Sequence, residues 1–181
     1  MKKLLIASLI TLAAVTASAA NFVSLDIESV EDSTTSAKST VQYLRVGKEL
    51  AGLQLGLQSR TSRSSAGGSM FNSLEATAGK AVGQFTPFVG VGYDNGLNGA
   101  KNGQYEYGLV GVTTGTKVGP GFAFGGVKTR VNWDSSNPKQ TVAFGTYSIP
   151  LTKDVSVNVN ASRSYQDIKE SAYGLGLTIG F

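Results

Sequence analysis

The chain has no cysteine and no histidine among its 181 residues, and these two absences exclude more chemistry than any motif present supplies. Without thiols there is no disulfide framework and no cysteine nucleophile. Without imidazole there is no histidine general base, so the serine–histidine pair of many hydrolases cannot be assembled. Proline occurs four times and tryptophan once. Beyond the first twenty residues no apolar run approaches the roughly 20 residues that a membrane helix needs, which excludes a helical membrane protein. Charge is scarce as well. Sixteen basic residues face twelve acidic ones, and two of the lysines, Lys2 and Lys3, fall in a segment expected to be removed. The remaining excess gives no basis for nucleic-acid binding.

What the chain does have begins with "MKKLLIASLITLAAVTASAA". Two lysines, a short apolar run and the small residues Ala17-Ser18-Ala19 form the pattern of a secretory signal peptide cut after Ala19. Residues 1–19 are therefore expected to be a leader and residues 20–181 one domain.

That domain alternates. In "YGLGLTIGF" the bulky Tyr173, Leu175, Leu177, Ile179 and Phe181 share one parity, and glycines and Thr178 share the other. On a strand, successive side chains point to opposite faces, so all the bulk lies on one side. Leu53, Leu55 and Leu57 alternate in the same way with Gln54, Gly56 and Gln58, as do Val155, Val157 and Val159 with Ser156, Asn158 and Asn160. Ten such segments are found, bounded by turn signals, and they pair into five hairpins. Two segments break the pattern. "TVQYLRVG" has apolar residues on both parities, and "FAFGGVKTRVNW" has phenylalanines opposite in parity to its valines, which predicts a bulge near Gly125-Gly126.

Near-neutral hydropathy with short alternating segments is expected of a membrane β-barrel, whose polar lumen face dilutes its lipid face. A spanning strand takes about 9–11 residues, so ten strands fit residues 20–181 with short connections. Eight would require dissolving a well-patterned hairpin. Odd-numbered connections are polar and mostly long and even-numbered ones are tight, as expected when the two rims face different compartments. Phe22, Phe85, Phe122, Tyr147 and Phe181 lie near tight-turn ends, and Phe71, Tyr93, Tyr105, Trp133, Tyr165 and Tyr173 near loop ends. This spacing predicts two aromatic girdles at the membrane interfaces.

With "YGLGLTIGF" last, "FTPFVGVGYDNG" and "GFAFGGVKTRVNW", the chain resembles the small outer-membrane β-barrels of Gram-negative bacteria, the group of opacity-type and outer-membrane-protein-X-like barrels. The resemblance implies a closed antiparallel up-and-down barrel in the outer membrane. It also implies contact with outer-membrane lipid and lipopolysaccharide, and recognition of Tyr173, Leu175, Leu177, Ile179 and Phe181 by the barrel-assembly machinery. The hairpin over 140–165 goes beyond the usual eight strands.

The presumed lumen parity carries Glu28, Arg60, Glu75, Lys128 and Arg130, together with Asp26, Gln54, Gln58, Asn158 and Asn160. Arg45 and Glu106 are further candidates for that face. Charges of both signs in a narrow space must pair or contact water, so they form either a salt-bridged plug or a charge-filtering path for a solute. The expected function is a porin-like channel or a structural barrel, with neither catalytic activity nor a cofactor. Two alternatives stand beside it: an outer-membrane lipid-modifying enzyme using Glu75 or Asp94, and a soluble periplasmic ligand-binding barrel with Leu53, Leu55 and Leu57 turned inward.

Overall fold

All ten alternating segments are strands in the computed structural model, which describes residues 22–64, 70–95 and 104–181. The expected leader with its cleavage site at Ala19 lies outside the described residues. In chain order the strands are β1 (Phe22–Asp32), β2 (Lys38–Leu50), β3 (Leu53–Ser64), β4 (Met70–Lys80) and β5 (Phe85–Asp94), then β6 (Tyr105–Val118), β7 (Gly121–Asn132), β8 (Gln140–Pro150), β9 (Val155–Gln166) and β10 (Glu170–Gly180). Each pairs antiparallel with its sequence neighbours, and β1 closes on β10 from Phe22 opposite Gly180 to Asp32 opposite Glu170. The architecture is an all-β, ten-stranded, closed antiparallel barrel. Closure matters energetically because no strand edge is left with unpaired backbone groups, each of which would cost several kcal/mol in hydrocarbon.

Even-numbered turns are tight, spanning 51–52, 81–84, 119–120 and 151–154. At the first, Ala51 and Gly52 have φ of 51° and 76°, the two-residue hairpin turn whose twist matches that of the flanking strands. On the opposite rim the connections include 33–37 and 133–139. The link over 167–169 is only three residues long, so that rim is not uniformly long-looped.

Register assigns the faces. Leu25, Ile27, Val89, Val91, Leu175 and Leu177 are all at least 49% exposed, while Ser24, Asp26, Glu28, Ser73, Glu75 and Asp94, one residue out of phase, are at most 5% exposed. The oily face is therefore the outside of the cylinder. Leu53, Leu55 and Leu57 share that outer face by register, since they pair with Lys80, Ala78 and Ala76 and alternate with inward Gln58 and Arg60. This is the reverse of what a soluble barrel with a leucine-lined cavity requires. An apolar surface of this extent on a closed barrel is what a lipid-facing wall presents.

Register also settles β2, whose two apolar parities left its facing open. Val41, Tyr43 and Arg45 point inward, opposite Glu28, Asp26 and Ser24, and Leu44 and Val46 point outward. The expected bulge at Gly125-Gly126 is absent. β7 pairs without interruption with β6 through Gly125 opposite Thr114 and Gly126 opposite Thr113, and with β8 through Gly125 opposite Gly145 and Gly126 opposite Phe144. Phe122 and Phe124 consequently share the inward parity of Lys128 and Arg130. The lumen accommodates apolar side chains near the tight-turn rim, so the parity change needs no extra residue.

The girdles are correspondingly smaller than position along the strand predicts. Phe85, Phe181, Tyr93, Trp133, Tyr165 and Tyr173 are outward and exposed, and Tyr147 shares the outer parity of Ile149. Phe22, Phe122 and Tyr105 turn inward instead, because face follows parity and not distance from a strand end. The side chain of Phe71 lies outside the described residues.

Candidate functional site: an ion-pair layer across the lumen

Ten strands leave a bore that side chains of modest length can bridge. Apart from the tight-turn rim, inward charges come from seven of the ten strands, all but β6, β8 and β9, and the layer they form can be traced from partner to partner. On β1, Asp26 accepts hydrogen bonds from Asn160 Nδ2 of β9 at 2.7 Å and from Ser24 Oγ at 2.5 Å. Its carboxylate is also held by the Arg45 guanidinium of β2, which lies 3.8 Å from Glu28 and stacks on Tyr43 with 4.4 Å to the ring centroid. Arg45 Nε donates to Gln58 Oε1 of β3 at 2.8 Å, and Gln58 Nε2 donates to Glu75 Oε2 of β4 at 3.1 Å.

Glu75 is the hub. Lys128 Nζ of β7 reaches it at 2.5 Å across the lumen, Tyr107 Oη of β6 donates to its other oxygen at 3.1 Å, and Arg130 stands 4.0 Å away. Arg130 continues the layer to Asp94 of β5 at 3.4 Å and donates to Tyr105 Oη at 2.7 Å, with its guanidinium 4.2 Å from the Tyr107 ring centroid. A second crossing joins Arg60 of β3 to Glu170 of β10 at 3.6 Å.

Every candidate lumen charge is thus placed inward. Glu28, Arg60, Glu75 and Arg130 are at most 8% exposed, and Lys128 spends its ammonium on Glu75. Arg45 joins them, whereas Glu106 is outward and exposed, opposite Tyr93. Five members of the layer had not been read from the sequence as lumen residues: Tyr43, Asp94, Tyr105, Tyr107 and Glu170. A usable signal existed. Asp94 shares parity with Gly90 and Gly92, Glu170 with Gly174 and Gly176, and Tyr105 and Tyr107 oppose outward Val110 and Val112.

The bare face of the closing strand has its explanation here. Gly174 and Gly176 lie opposite Glu28 and Asp26, and a Cβ at either glycine would collide with the facing acidic residue. Small residues on β10 make room for carboxylates on β1, while Tyr173, Leu175, Leu177, Ile179 and Phe181 alternate outward.

Chemically, this arrangement bridges the bore with opposite charges. Four cation–carboxylate contacts, Lys128 and Arg130 with Glu75, Arg130 with Asp94 and Arg60 with Glu170, join strands that are not neighbours in the wall, and the cavity beside them measures about 60 Å³, lined by Tyr43, Arg60, Glu75, Lys128, Arg130 and Glu170 among others. That is room for a few waters. A larger solute would have to part charge-assisted bonds in a confined space, each contributing about 1.5–3 kcal/mol. Glu75 and Asp94, the carboxylates a hydrolytic site would use, are both engaged by Arg130.

No protein-family model matches the chain, and no curated protein matches it in sequence. Among solved structures, the translocator domain of the autotransporter NalP from Neisseria meningitidis aligns with a TM-score of 0.50 at 11% identity, over 88% of this chain and 87% of that domain. The crystal structure of Neisserial surface protein A (NspA) aligns over 88% of this chain and 96% of its own, with a TM-score of 0.46 at 13% identity. The likeness to the NalP domain is one of fold.

Proposed function

We propose that the chain is a structural outer-membrane barrel whose lumen is closed by the ion-pair layer, without catalytic activity. The observation that carries this reading is the contact of Lys128 with Glu75 across the bore, reinforced by Arg60 with Glu170. The oily exterior supports a bilayer location, and the fold together with the leader-like residues 1–19 supports the outer membrane. There the exposed aliphatic belt meets lipid, the rims meet headgroups and lipopolysaccharide, and the outward row ending at Phe181 is the segment offered to the barrel-assembly machinery.

The porin-like alternative requires the layer to part. Bilayer conductance of the refolded protein separates the two. The sealed barrel gives no current above the protein-free baseline, and the double variant E75A/K128A, which empties the main crossing, gives discrete steps. Steps from the wild-type protein would overturn the sealed reading in favour of a channel. A change in lipid mass in membranes holding the protein would overturn the non-catalytic part.

A further inference from the structure

Below the ion-pair layer the lumen changes character. Between Asp26, Arg45, Glu75 and Lys128 and the rim residues Glu49 and Lys117, no inward position of the described strands is charged. Phenylalanines take their place. Register puts Phe22, Phe88, Phe122, Phe124 and Phe144 on the lumen face, and Phe124 and Phe144 pack at 6.1 Å between ring centroids. Phe22, Phe122 and Phe124 are 38%, 47% and 40% exposed, so their rings border open space and are not filling a core.

Glycines explain why the space stays open. A Cβ on Gly47, Gly111 or Gly115 would overlap the ring of Phe22, Phe88 or Phe122 respectively. Each ring lies over the bare backbone of a neighbouring strand and lines the wall without crossing the bore.

On β8, β9 and β10 the polar side chains of this compartment pair with one another. Ser148 Oγ donates to Asn158 Oδ1 at 2.9 Å, Asn158 Nδ2 donates to Thr178 Oγ1 at 2.7 Å, and Thr146 Oγ1 donates to Asn160 Oδ1 at 2.7 Å. A ligand rich in hydrogen-bonding groups would have to break these pairs, and an ionic one would find a counter-charge only at the rim, at Lys117 or Glu49, and none beside Phe88, Phe124 or Phe144. A flat, uncharged aromatic ring would bury against the phenylalanine faces and displace only water.

We propose that the tight-turn half of the lumen is a dead-end binding site for small uncharged aromatic molecules, walled by Phe88, Phe122, Phe124 and Phe144 and floored by the ion-pair layer. The probe is 4-fluorobenzyl alcohol, followed by fluorine NMR on the full-length barrel in phosphatidylcholine nanodiscs, with protein-free discs to subtract partition into lipid. The wild-type barrel gives a saturable component absent from empty discs. In F122A/F124A the affinity falls about tenfold, since each stacked ring contributes a few-fold. In V127A, altered on the lipid face of the same strand, affinity is unchanged. F122L/F124L keeps apolar volume while losing the ring faces, so it tests the same point should the alanine pair fail to fold. No saturable component, or equal affinity in the folded leucine variant, overturns the site. Conductance plays no part in this readout, so the result stands apart from whether the layer above is sealed.

Discussion

Gly176 of β10 lies directly opposite Asp26 of β1, and the carboxylate of Asp26 occupies the space that a side chain at 176 would take. The closing seam of the barrel and the start of the ion-pair layer are therefore a single packing problem. G176A should displace Asp26 from Arg45, Asn160 and Ser24 and cost about 1–3 kcal/mol, the usual penalty of overpacking. Gly145, where the nearest atom to an added Cβ is 3.8 Å away, is the control, and G145A should stay within about 0.5 kcal/mol of wild type. Urea midpoints of the refolded proteins measure both.

Removing both partners of the main crossing should cost less than the two single removals together. K128M leaves Glu75 with Gln58, Tyr107 and a more distant Arg130, and should cost about 1.5–3 kcal/mol. In E75M/K128M no orphaned charge remains, so the loss should be smaller than the sum of the two single variants. A double-mutant cycle on unfolding free energies reads the coupling directly, and strict additivity would mean that the contact stabilises nothing.

The lipid face makes a depth-dependent prediction. Leu175 is 63% exposed amid Ile27 and Val159, inside the apolar belt, and L175R should cost about 2–4 kcal/mol in lipid vesicles. Thr40 is also exposed and outward but lies opposite Ser29 and Arg63, above the belt. T40R should cost about 0–1 kcal/mol. Equal costs at the two sites would contradict the belt as drawn.

Much of this architecture is legible in the sequence because parity is a local property. The alternation in β3, β9 and β10 names the inward and outward residues without any knowledge of their neighbours, and the turn signals between segments give ten strands. Parity fails where a strand carries apolar residues on both faces. Val41 and Tyr43 of β2 are inward because they abut Glu28 and Asp26 of the next strand, and only register reveals that. Phe122 and Phe124 suggested a bulge for the same reason: apolar was equated with outward, and the lumen has an apolar compartment. The cross-lumen partners are the least legible. Lys128 and Glu75 are 53 residues apart in sequence, and their meeting depends on the tilt and stagger of four strands, which no local pattern encodes.

The outward direction of the oily face is the claim on which the rest depends, and the absence of native cysteine makes it open to direct measurement. Single cysteines at 173, 175, 177 and 179 on one parity and at 172 and 178 on the other, spin-labelled after reconstitution in vesicles, report collision with oxygen, which concentrates in lipid, and with a water-soluble nickel chelate. Oxygen accessibility should be high at 173, 175, 177 and 179 and low at 172 and 178, with the parity of β10. A flat profile, or an alternation of opposite phase with the chelate reaching the odd positions, would contradict the membrane barrel described here.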